Sequence, residues 1–333
     1  MPDTRGEATR MSKSNLRPPL PQFEVRLSPP DIGDWREGNT GIPGFTTIRA
    51  ATPGPHVGLL ALTHGNEYSG AIVLDRLLRS RFTPLHGTLT VGFVNLDAFY
   101  RFDPQHPTLS RFIDEDINRV WDPSVLDSAR RSVELDRARQ IRPMIETIDV
   151  LLDLHSMLWP SDPVTLCGGT EKGRRLAEAI GAPQLVVTDH GHAGGRRIID
   201  YPKFTDPADP SVANLVEAGQ HWEPATVEIA EASVNGLLRH VGMLAPAPQD
   251  GNFGPPRFAT VTQIVTPCTA NFTFMQPYRG GEVIAERNTL IALDDTHEIR
   301  TPYDNCLLVM PSLWPSRGHM AVRLAAFTSG SRA

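Results

Sequence analysis

The sequence has few cysteines, no long hydrophobic run and no excess of positive charge, and each shortage excludes a class of protein. Its three cysteines are widely spaced, so it has no Cys-x-x-Cys zinc knuckle, and any metal must be held by histidine and carboxylate. The apolar runs are no longer than a strand, which is too short to span a bilayer. The formal net charge of −6 gives no general attraction for nucleic acid. We therefore expect neither a nucleic-acid partner nor a membrane partner.

The amino-terminal part also lacks the apolar stretch of a secretory signal. Residues 1–45 are rich in proline, glycine and charge, and we predict a flexible, irregular segment there. An odd number of separate cysteines suits reduced thiols. These features predict a cytoplasmic protein.

From residue 46 to residue 243, strand-like apolar runs alternate with helical patterns. The alternation predicts an α/β domain in which helices flank a mixed, mostly parallel sheet. A stretch rich in proline and glycine follows, and residues 255–330 then show short strand-like pieces that predict a smaller all-β domain. The predicted strands of the first domain are residues 56–63, 89–96, 150–154, 164–166 and 184–187, and its predicted helices are residues 71–79, 127–148, 171–180 and 226–241.

A histidine and a glutamate stand three residues apart where a predicted buried strand gives way to a helix. His64 and Glu67 follow the apolar residues 57–63, and the two residues between them form the turn. Open α/β sheets bind their ligands at the carboxyl ends of such strands. A catalytic zinc site has three protein ligands and one open position, so a third ligand is needed.

His155 is the candidate third ligand, because it also stands at the end of an apolar strand. Asp153 shares a strand face with His155 and is predicted to orient its imidazole. Taken alone, His155 is better explained as a satisfied core or strand-end histidine. Together with His64 and Glu67, it predicts a site for one Zn²⁺ per chain.

A charged segment with aromatic residues lies between the two halves of the predicted zinc site. Arginine forks suit carboxylates and developing oxyanions, although Asp–Arg pairs within a solvated loop are the other explanation. The order of motifs is His-Gly-Asn-Glu, then Arg111, then Asp116-x-Asn118-Arg119, then Asp-Leu-His-Ser. This order resembles the succinylglutamate desuccinylase/aspartoacylase family of zinc-dependent hydrolases, which are relatives of the metallocarboxypeptidases.

The resemblance covers about residues 54–219 and implies a zinc carboxypeptidase-like fold. It also implies three kinds of site residue in this chain. These are zinc ligands, an oxyanion stabiliser and binders of a substrate carboxylate: His64, Glu67 and His155; Arg111; Asn118 and Arg119.

The resemblance further implies a general base in a Glu-x-Gly at the end of a strand, which Glu217 supplies. The competing candidate, Glu228, fits the first turn of the predicted helix 226–241, where the helix dipole favours a carboxylate. We therefore favour Glu217 as the residue that takes a proton from zinc-activated water.

Two further residues are predicted to contact the substrate. Arg197 and its neighbour Arg196 lie in a glycine-rich loop after His190 and His192, and the family uses such arginines when the acyl part of the substrate is acidic. The other explanation is that both are surface arginines. The two histidines are themselves a weaker candidate metal pair. Tyr303 lies in the predicted β domain, which helps to close the pocket in relatives.

The sequence thus predicts a zinc-dependent amide hydrolase, a deacylase whose substrate is a small-molecule N-acyl amino acid. One alternative is a metallocarboxypeptidase that acts on short or modified peptides, and another is a non-catalytic zinc- or ligand-binding protein on the same scaffold. A substantial β domain would narrow the entrance and favour the deacylase, and a general base would be superfluous in a binding module. Dimers are unsurprising in this family, so a homodimer stays open.

Overall fold

The computed structural model describes residues 24–192, 194–246 and 254–328. The flexible segment predicted for residues 1–45 therefore lies outside the described residues up to residue 23. Residues 247–253, which carry most of the predicted boundary, and the last two residues of the predicted β domain also lie outside them.

The described chain contains a mixed sheet of 11 strands and a second sheet of 3 strands. The strands are β1 (Phe45–Arg49), β2 (His56–Ala61), β3 (Thr88–Phe93), β4 (Val150–Met157), β5 (Val164–Leu166), β6 (Leu185–Thr188), β7 (Val212–Gln220), β8 (Arg257–Val265), β9 (Phe272–Phe274), β10 (Val283–Ile284), β11 (Leu290–Asp294), β12 (His297–Arg300), β13 (Cys306–Val309) and β14 (Val322–Thr328).

The α-helices lie mostly between strands of the large sheet. They are α1 (Ser69–Arg79), α2 (Leu96–Phe99), α3 (Pro123–Leu126), α4 (Val133–Ile145), α5 (Glu171–Ile180), α6 (Pro202–Thr205) and α7 (Pro224–His240), and 3₁₀ turns cover Gly33–Trp35, Ile117–Arg119 and Ile198–Asp200. None of the helices in the described ranges is long and apolar enough to cross a membrane.

The large sheet has the order β1-β3-β2-β4-β7-β5-β6-β8-β14-β13-β10. Strands β3, β2, β4 and β7 run parallel, so their carboxyl ends lie at one edge of the sheet. Strand β5 is antiparallel to β7, whereas β5, β6 and β8 are parallel to one another. The predicted zinc ligands all lie at or just beyond the carboxyl ends of β2 and β4.

Both faces of the sheet are buried, as alternate side chains of β2 show. Leu59 and Ala61 contact the core that includes Leu74 of α1 and Leu237 of α7, whereas Leu60 contacts the core on the other face. Helix α4 covers that second face. Strands buried on both faces read as continuous apolar runs, which explains why β2 was predicted from the sequence.

The antiparallel region at the carboxyl end extends the large sheet. Strand β8 pairs with β6 and then with β14, and β14 pairs with β13. Strands β12, β11 and β9 form the small sheet beside it. The predicted fold class is confirmed: a mixed, mostly parallel sheet flanked by helices, with a smaller β region at the carboxyl end.

Candidate metal centre

The structure brings His64, Glu67 and His155 together, although 88 residues separate the last two. One ligand atom from each side chain lies within 4.8 Å of the others, and all three side chains are buried. The turn after β2 places His64 and Glu67, and β4 places His155 on the neighbouring parallel strand. Two short-range motifs therefore meet because β2 and β4 are adjacent in the sheet.

The two imidazoles have the same arrangement of nitrogens. The Nε2 of His155 lies 2.7 Å from Asp153 Oδ2, and the Nε2 of His64 lies 2.9 Å from Asp116 Oδ1. Their Nδ1 atoms face Glu67, at 2.9 Å for His155 and 2.8 Å for His64. Carboxylates that hold one nitrogen and leave the other directed at a common point are typical of metal-binding histidines. Asp153 contacts His155 as the strand alternation predicts.

One nitrogen in this cluster is without a hydrogen bond. His64 Nδ1 is buried and lies 2.8 Å from Glu67 Oε1, but the two atoms are not in hydrogen-bond geometry. An orphaned buried nitrogen is costly unless a ligand satisfies it. Two imidazole nitrogens and a carboxylate are also a donor set that zinc accepts. The residues therefore fit a bound divalent cation.

Electrostatics in the cluster also favour a cation. Burial opposes the charge on Glu67, yet His64, His155 and Arg111 hold its pKa well below the ordinary value. Burial likewise opposes the charge on His155, but Asp153 and Glu67 raise its pKa well above the ordinary value. In the absence of a metal, a proton on His155 balances these carboxylates. A metal must displace that proton, so binding should weaken as pH falls.

Arg111 lies at the border of the cluster and is 36% exposed. It donates to Glu67 Oε1 at 2.6 Å and to Asp116 Oδ2 at 3.3 Å. Burial opposes the charge of Asp116, but His64, Arg111 and Arg119 hold the pKa of Asp116 well below its ordinary value. The Arg111 guanidinium is held by carboxylates and is also partly exposed, so it can contact a molecule that binds beside the cluster.

Asn118 and Arg119 stand beside Asp116 in a 3₁₀ turn. Asp116 accepts a hydrogen bond from the Asn118 backbone at 2.8 Å and lies 3.7 Å from Arg119. The Asn118 side chain accepts a hydrogen bond from the backbone N–H of Ile198 at 2.8 Å. Asn118 thus also fastens the loop that follows β6 to the site.

Glu217 lies next to His155, because the two residues are register partners in the parallel pair β4–β7. Its carboxyl group is buried, and Oε2 has no hydrogen bond. Burial and the charge of Glu67 raise the pKa of Glu217 to about 7. A carboxyl group with such a pKa can take and return a proton near neutral pH. The competing Glu228 is exposed on α7.

Arg197, which is predicted to contact the substrate, is paired with two carboxylates in the structure. Its side chain is buried and donates to both oxygens of Asp189 at 2.9 and 2.7 Å. It also donates to both oxygens of Asp200, at 2.7 and 2.9 Å. The guanidinium therefore binds two carboxylates for which the sequence predicted no role. These ion pairs hold the loop after β6 in place.

Tyr303 and the two loop histidines are not members of the zinc-ligand cluster, but His192 lies close enough to Arg119 and Asp116 for their charges to act on it. The Tyr303 hydroxyl is 2.6 Å from the hydroxyl of Thr262, and its ring packs on the core of the antiparallel region. Thr262 lines a cavity of about 340 Å³ together with His190 and His192. Burial, Arg119 and other nearby arginines lower the pKa of His192 to about 3.

One buried residue of the centre had no predicted role. His221 Nδ1 is 2.7 Å from Ser156 Oγ, and His221 Nε2 is 3.9 Å from Glu67 Oε1. Burial lowers the pKa of His221 to about 4, so its imidazole is neutral. The signal in the sequence was its position four residues after Glu217, just past the strand that ends at the site.

Comparisons with known proteins agree with this geometry. Residues 53–198 match the family model described as the succinylglutamate desuccinylase/aspartoacylase catalytic domain. No curated protein sequence matches the chain.

Solved structures show the same fold over most of the chain. A succinylglutamate desuccinylase from Vibrio parahaemolyticus is 16% identical with a TM-score of 0.66, over 86% of this chain and 87% of that one. A succinylglutamate desuccinylase/aspartoacylase from Rhodobacter sphaeroides is 18% identical with a TM-score of 0.63, over 86% and 89%. An ectoine utilization protein from Ruegeria pomeroyi is 18% identical with a TM-score of 0.60, over 86% and 88%.

The family match spans both halves of the His64–Glu67–His155 cluster and the Arg111–Arg119 segment between them. Residues 53–198 are therefore similar to the catalytic domain of the succinylglutamate desuccinylase/aspartoacylase family.

Proposed function

We propose that this protein is a zinc-dependent amide hydrolase that removes the acyl group from an N-acyl amino acid. The observation that carries the proposal is Glu217, whose buried carboxyl has a free oxygen and a pKa raised to about 7 beside the His64–Glu67–His155 cluster. Neither a structural ion pair nor a simple metal store requires such a group. The match of residues 53–198 to the succinylglutamate desuccinylase/aspartoacylase catalytic domain, and the names of the similar solved structures, support a deacylase.

One Zn²⁺ per chain would be held by His64, Glu67 and His155. When bound, zinc would acidify a water molecule and polarise the scissile carbonyl. In this proposal Glu217 takes the proton of that water, and the water oxygen bonds to the carbonyl carbon. As the carbon–nitrogen bond breaks, Glu217 returns the proton to the departing amine. The new carboxylic acid then gives its remaining proton to water or to the amine, so a carboxylate and a free amino acid leave the site.

Arg111 would donate hydrogen bonds to the oxygen that gains negative charge. It already reaches the cluster and is partly exposed, and donors placed where charge develops are worth several kcal/mol in other enzymes, about 3 per donor. Asn118 and Arg119 would hold the carboxylate of the amino acid. Arg119 is the better placed of the two, because its only carboxylate contact within the described ranges is Asp116, at 3.7 Å.

The proposal is tested with zinc-loaded protein and a panel of N-acetyl, N-succinyl and N-aroyl amino acids, beside a short peptide that ends in a free carboxylate. We expect hydrolysis of at least one N-acyl amino acid and none of the peptide. Cleavage of the peptide alone would favour a carboxypeptidase. If zinc-loaded protein hydrolyses none of these compounds, both the deacylase and the carboxypeptidase hypotheses are contradicted. The hypothesis of a non-catalytic zinc- or ligand-binding protein would then remain.

A further inference from the structure

His221 is a buried histidine that the proposed mechanism does not use, and it lies against the carboxylate of Glu67. Its side chain is 2% exposed. Nε2 lies 3.9 Å from Glu67 Oε1, and Nδ1 lies 2.7 Å from Ser156 Oγ. Both ring nitrogens are therefore directed at neighbours that belong to the centre.

The surroundings fix the position of the His221 ring. Its backbone N–H donates to the carbonyl oxygen of Met157 at 2.7 Å, which ties it to the end of β4. The next residue, Trp222, donates through Nε1 to the carbonyl oxygen of Asn66 at 3.0 Å, which ties it to the turn after β2. The imidazole is thus anchored to both of the elements that supply the zinc ligands.

Ser156 links the same histidine to Glu67 from the other side. Its backbone N–H donates to Glu67 Oε2 at 3.1 Å, while its hydroxyl contacts His221 Nδ1. A neutral imidazole has one N–H and one lone pair. If the lone pair were on Nε2, it would face a carboxylate oxygen and be repelled. The favoured tautomer has the Ser156 hydroxyl donating to Nδ1 and the proton on Nε2, directed at Glu67.

Glu67 needs such a donor if Arg111 acts on the substrate. In the structure, Arg111 donates to Glu67 Oε1 at 2.6 Å. The proposed function has Arg111 bind the developing oxyanion, which draws that donor away from the carboxylate. The backbone N–H of Ser156 serves the other oxygen, Oε2. Besides Arg111, the described side chains near Oε1 are His64, whose Nδ1 lies 2.8 Å away and would face the metal, and His221. His221 is thus the one of these whose position depends on neither the metal nor the substrate.

We propose that His221 is a positioning residue for Glu67: Ser156 fixes its ring, and its Nε2–H, 3.9 Å from Oε1, attracts the Glu67 carboxylate and keeps it oriented as a metal ligand. Neighbouring groups that orient metal ligands are typically worth about 10–100-fold in metal affinity. The inference rests on the proposed function for the identity of the metal, Zn²⁺, and for the role of Arg111.

The test uses two variants that each keep one of the two nitrogens. In His221→Gln the amide nitrogen takes the place of Nε2, whereas in His221→Asn it takes the place of Nδ1. Zinc affinity is measured by competition with a chromophoric chelator, without substrate. We expect His221→Asn to weaken zinc binding about 10–100-fold and His221→Gln to stay within about threefold of the unaltered protein. His240→Gln, at the last residue of α7 far along the chain from both ligand motifs, is the matched control and should change nothing.

Several results would overturn the inference. One is an equal zinc affinity in His221→Asn and His221→Gln, whether that affinity is near the unaltered value or reduced. Another is a near-normal zinc affinity in His221→Asn but not in His221→Gln, which would mean that the contact with Ser156 is the one that matters. If circular dichroism shows that His221→Asn does not fold, Ser156→Ala is used in its place. Loss of the Ser156 hydroxyl frees the His221 ring, so zinc binding should weaken several-fold. An unchanged zinc affinity would refute the proposed role of His221. The measurement needs no turnover, so a protein without amidase activity would refute the proposed function and leave this result standing.

Discussion

Single residues in this centre derive their chemistry from their neighbours. Glu217 and Glu67 are both buried glutamates, yet nearby cations depress the pKa of Glu67, whereas burial and the charge of Glu67 raise that of Glu217 to about 7. Two carboxyl groups with divergent pKa values can divide the roles of ligand and base. The first stays ionised and suits a metal, and the second exchanges protons near neutral pH.

Replacing Glu217 by Gln should leave zinc in place and slow hydrolysis. Because general base catalysis contributes about 10²–10⁴-fold, we expect kcat to fall by that factor. The control is metal content, which should equal that of the unaltered protein. Unchanged kcat in a zinc-loaded Glu217→Gln protein would exclude Glu217 as the base and reopen the role for Glu228.

The same group should set the acidic limb of the pH profile. Glu217 acts as a base only when ionised, so kcat/KM should rise with pH through the pKa of Glu217. That pKa is raised to about 7 by burial and by Glu67, and a bound cation would lower it, so the limb should lie at or below pH 7. A profile that is flat from pH 5 to pH 8 would contradict this assignment.

At this scale the sequence predicted the residues whose neighbours are close in the chain. His64 with Glu67, and Asp153 with His155, are separated by three and two positions, so the turn after β2 and the alternation of β4 relate them directly. The partners of Arg197 could not be inferred from spacing alone: Asp189 and Asp200 reach its guanidinium only through the folded loop after β6. Nothing in the sequence indicated how deeply that arginine is buried.

At the level of elements, the strand that carries Glu217 was absent from the predicted strands. Strand β7 is buried throughout, but Asn214, Glu217 and Gly219 interrupt its apolar pattern. The polar residues and glycine in β7 break its apolar run, so the strand could not be predicted from that pattern. Helix α4 was predicted too long, because Ser132 caps it by accepting a hydrogen bond from the backbone N–H of Leu135 at 3.0 Å, so the helix starts at Val133.

Asn118 should stabilise the loop after β6 as well as serve the site. Asn118→Ala would leave the buried N–H of Ile198 without an acceptor, so we expect unfolding in urea to become easier by about 1–3 kcal/mol. Asn118→Asp keeps an acceptor and should keep most of the stability. Equal losses in the two variants would show that the bond to Ile198 does not hold the loop.

Strand β14 carries a buried charge with few partners. Arg323 is buried, its Nε has no hydrogen bond, and its nearest carboxylate, Asp189, lies 3.6 Å away and already binds Arg197. Replacing a poorly bonded buried ion with an apolar side chain is often neutral or stabilising. Thermal melts of Arg323→Met should therefore show an unchanged or higher Tm, and a fall of more than about 5 °C would contradict this view of the residue.

At the level of the whole molecule, the sequence predicted separate domains for residues 46–243 and 255–330, and one sheet contains strands of both. The change of texture near residue 250 was read as a domain boundary, but β8 pairs along the full length of β6. Pairing between distant strands leaves no local pattern in a sequence. The fold class was predictable, because alternating strands and helices specify it, whereas the edge at which the two regions join was not.

This continuity predicts that the carboxyl-terminal region cannot be removed. A chain ending at residue 246 would lose β8, which would expose the edge of β6. It would also expose Val186, which is buried in a cluster with Phe258. Unpaired apolar edges promote aggregation, so we expect the truncated chain to lack a cooperative melt and to aggregate. A soluble truncated chain with the full-length Tm would show that the regions fold independently.

The central claim is that three side chains from two strand ends form one zinc site, and metal stoichiometry tests it most directly. Zinc per chain is measured by elemental analysis of purified protein and of His64→Ala and His155→Ala. We expect one zinc per chain in the unaltered protein and less than about one tenth of that in each variant, because each removes one of three ligands. Full zinc content in both variants would contradict the site.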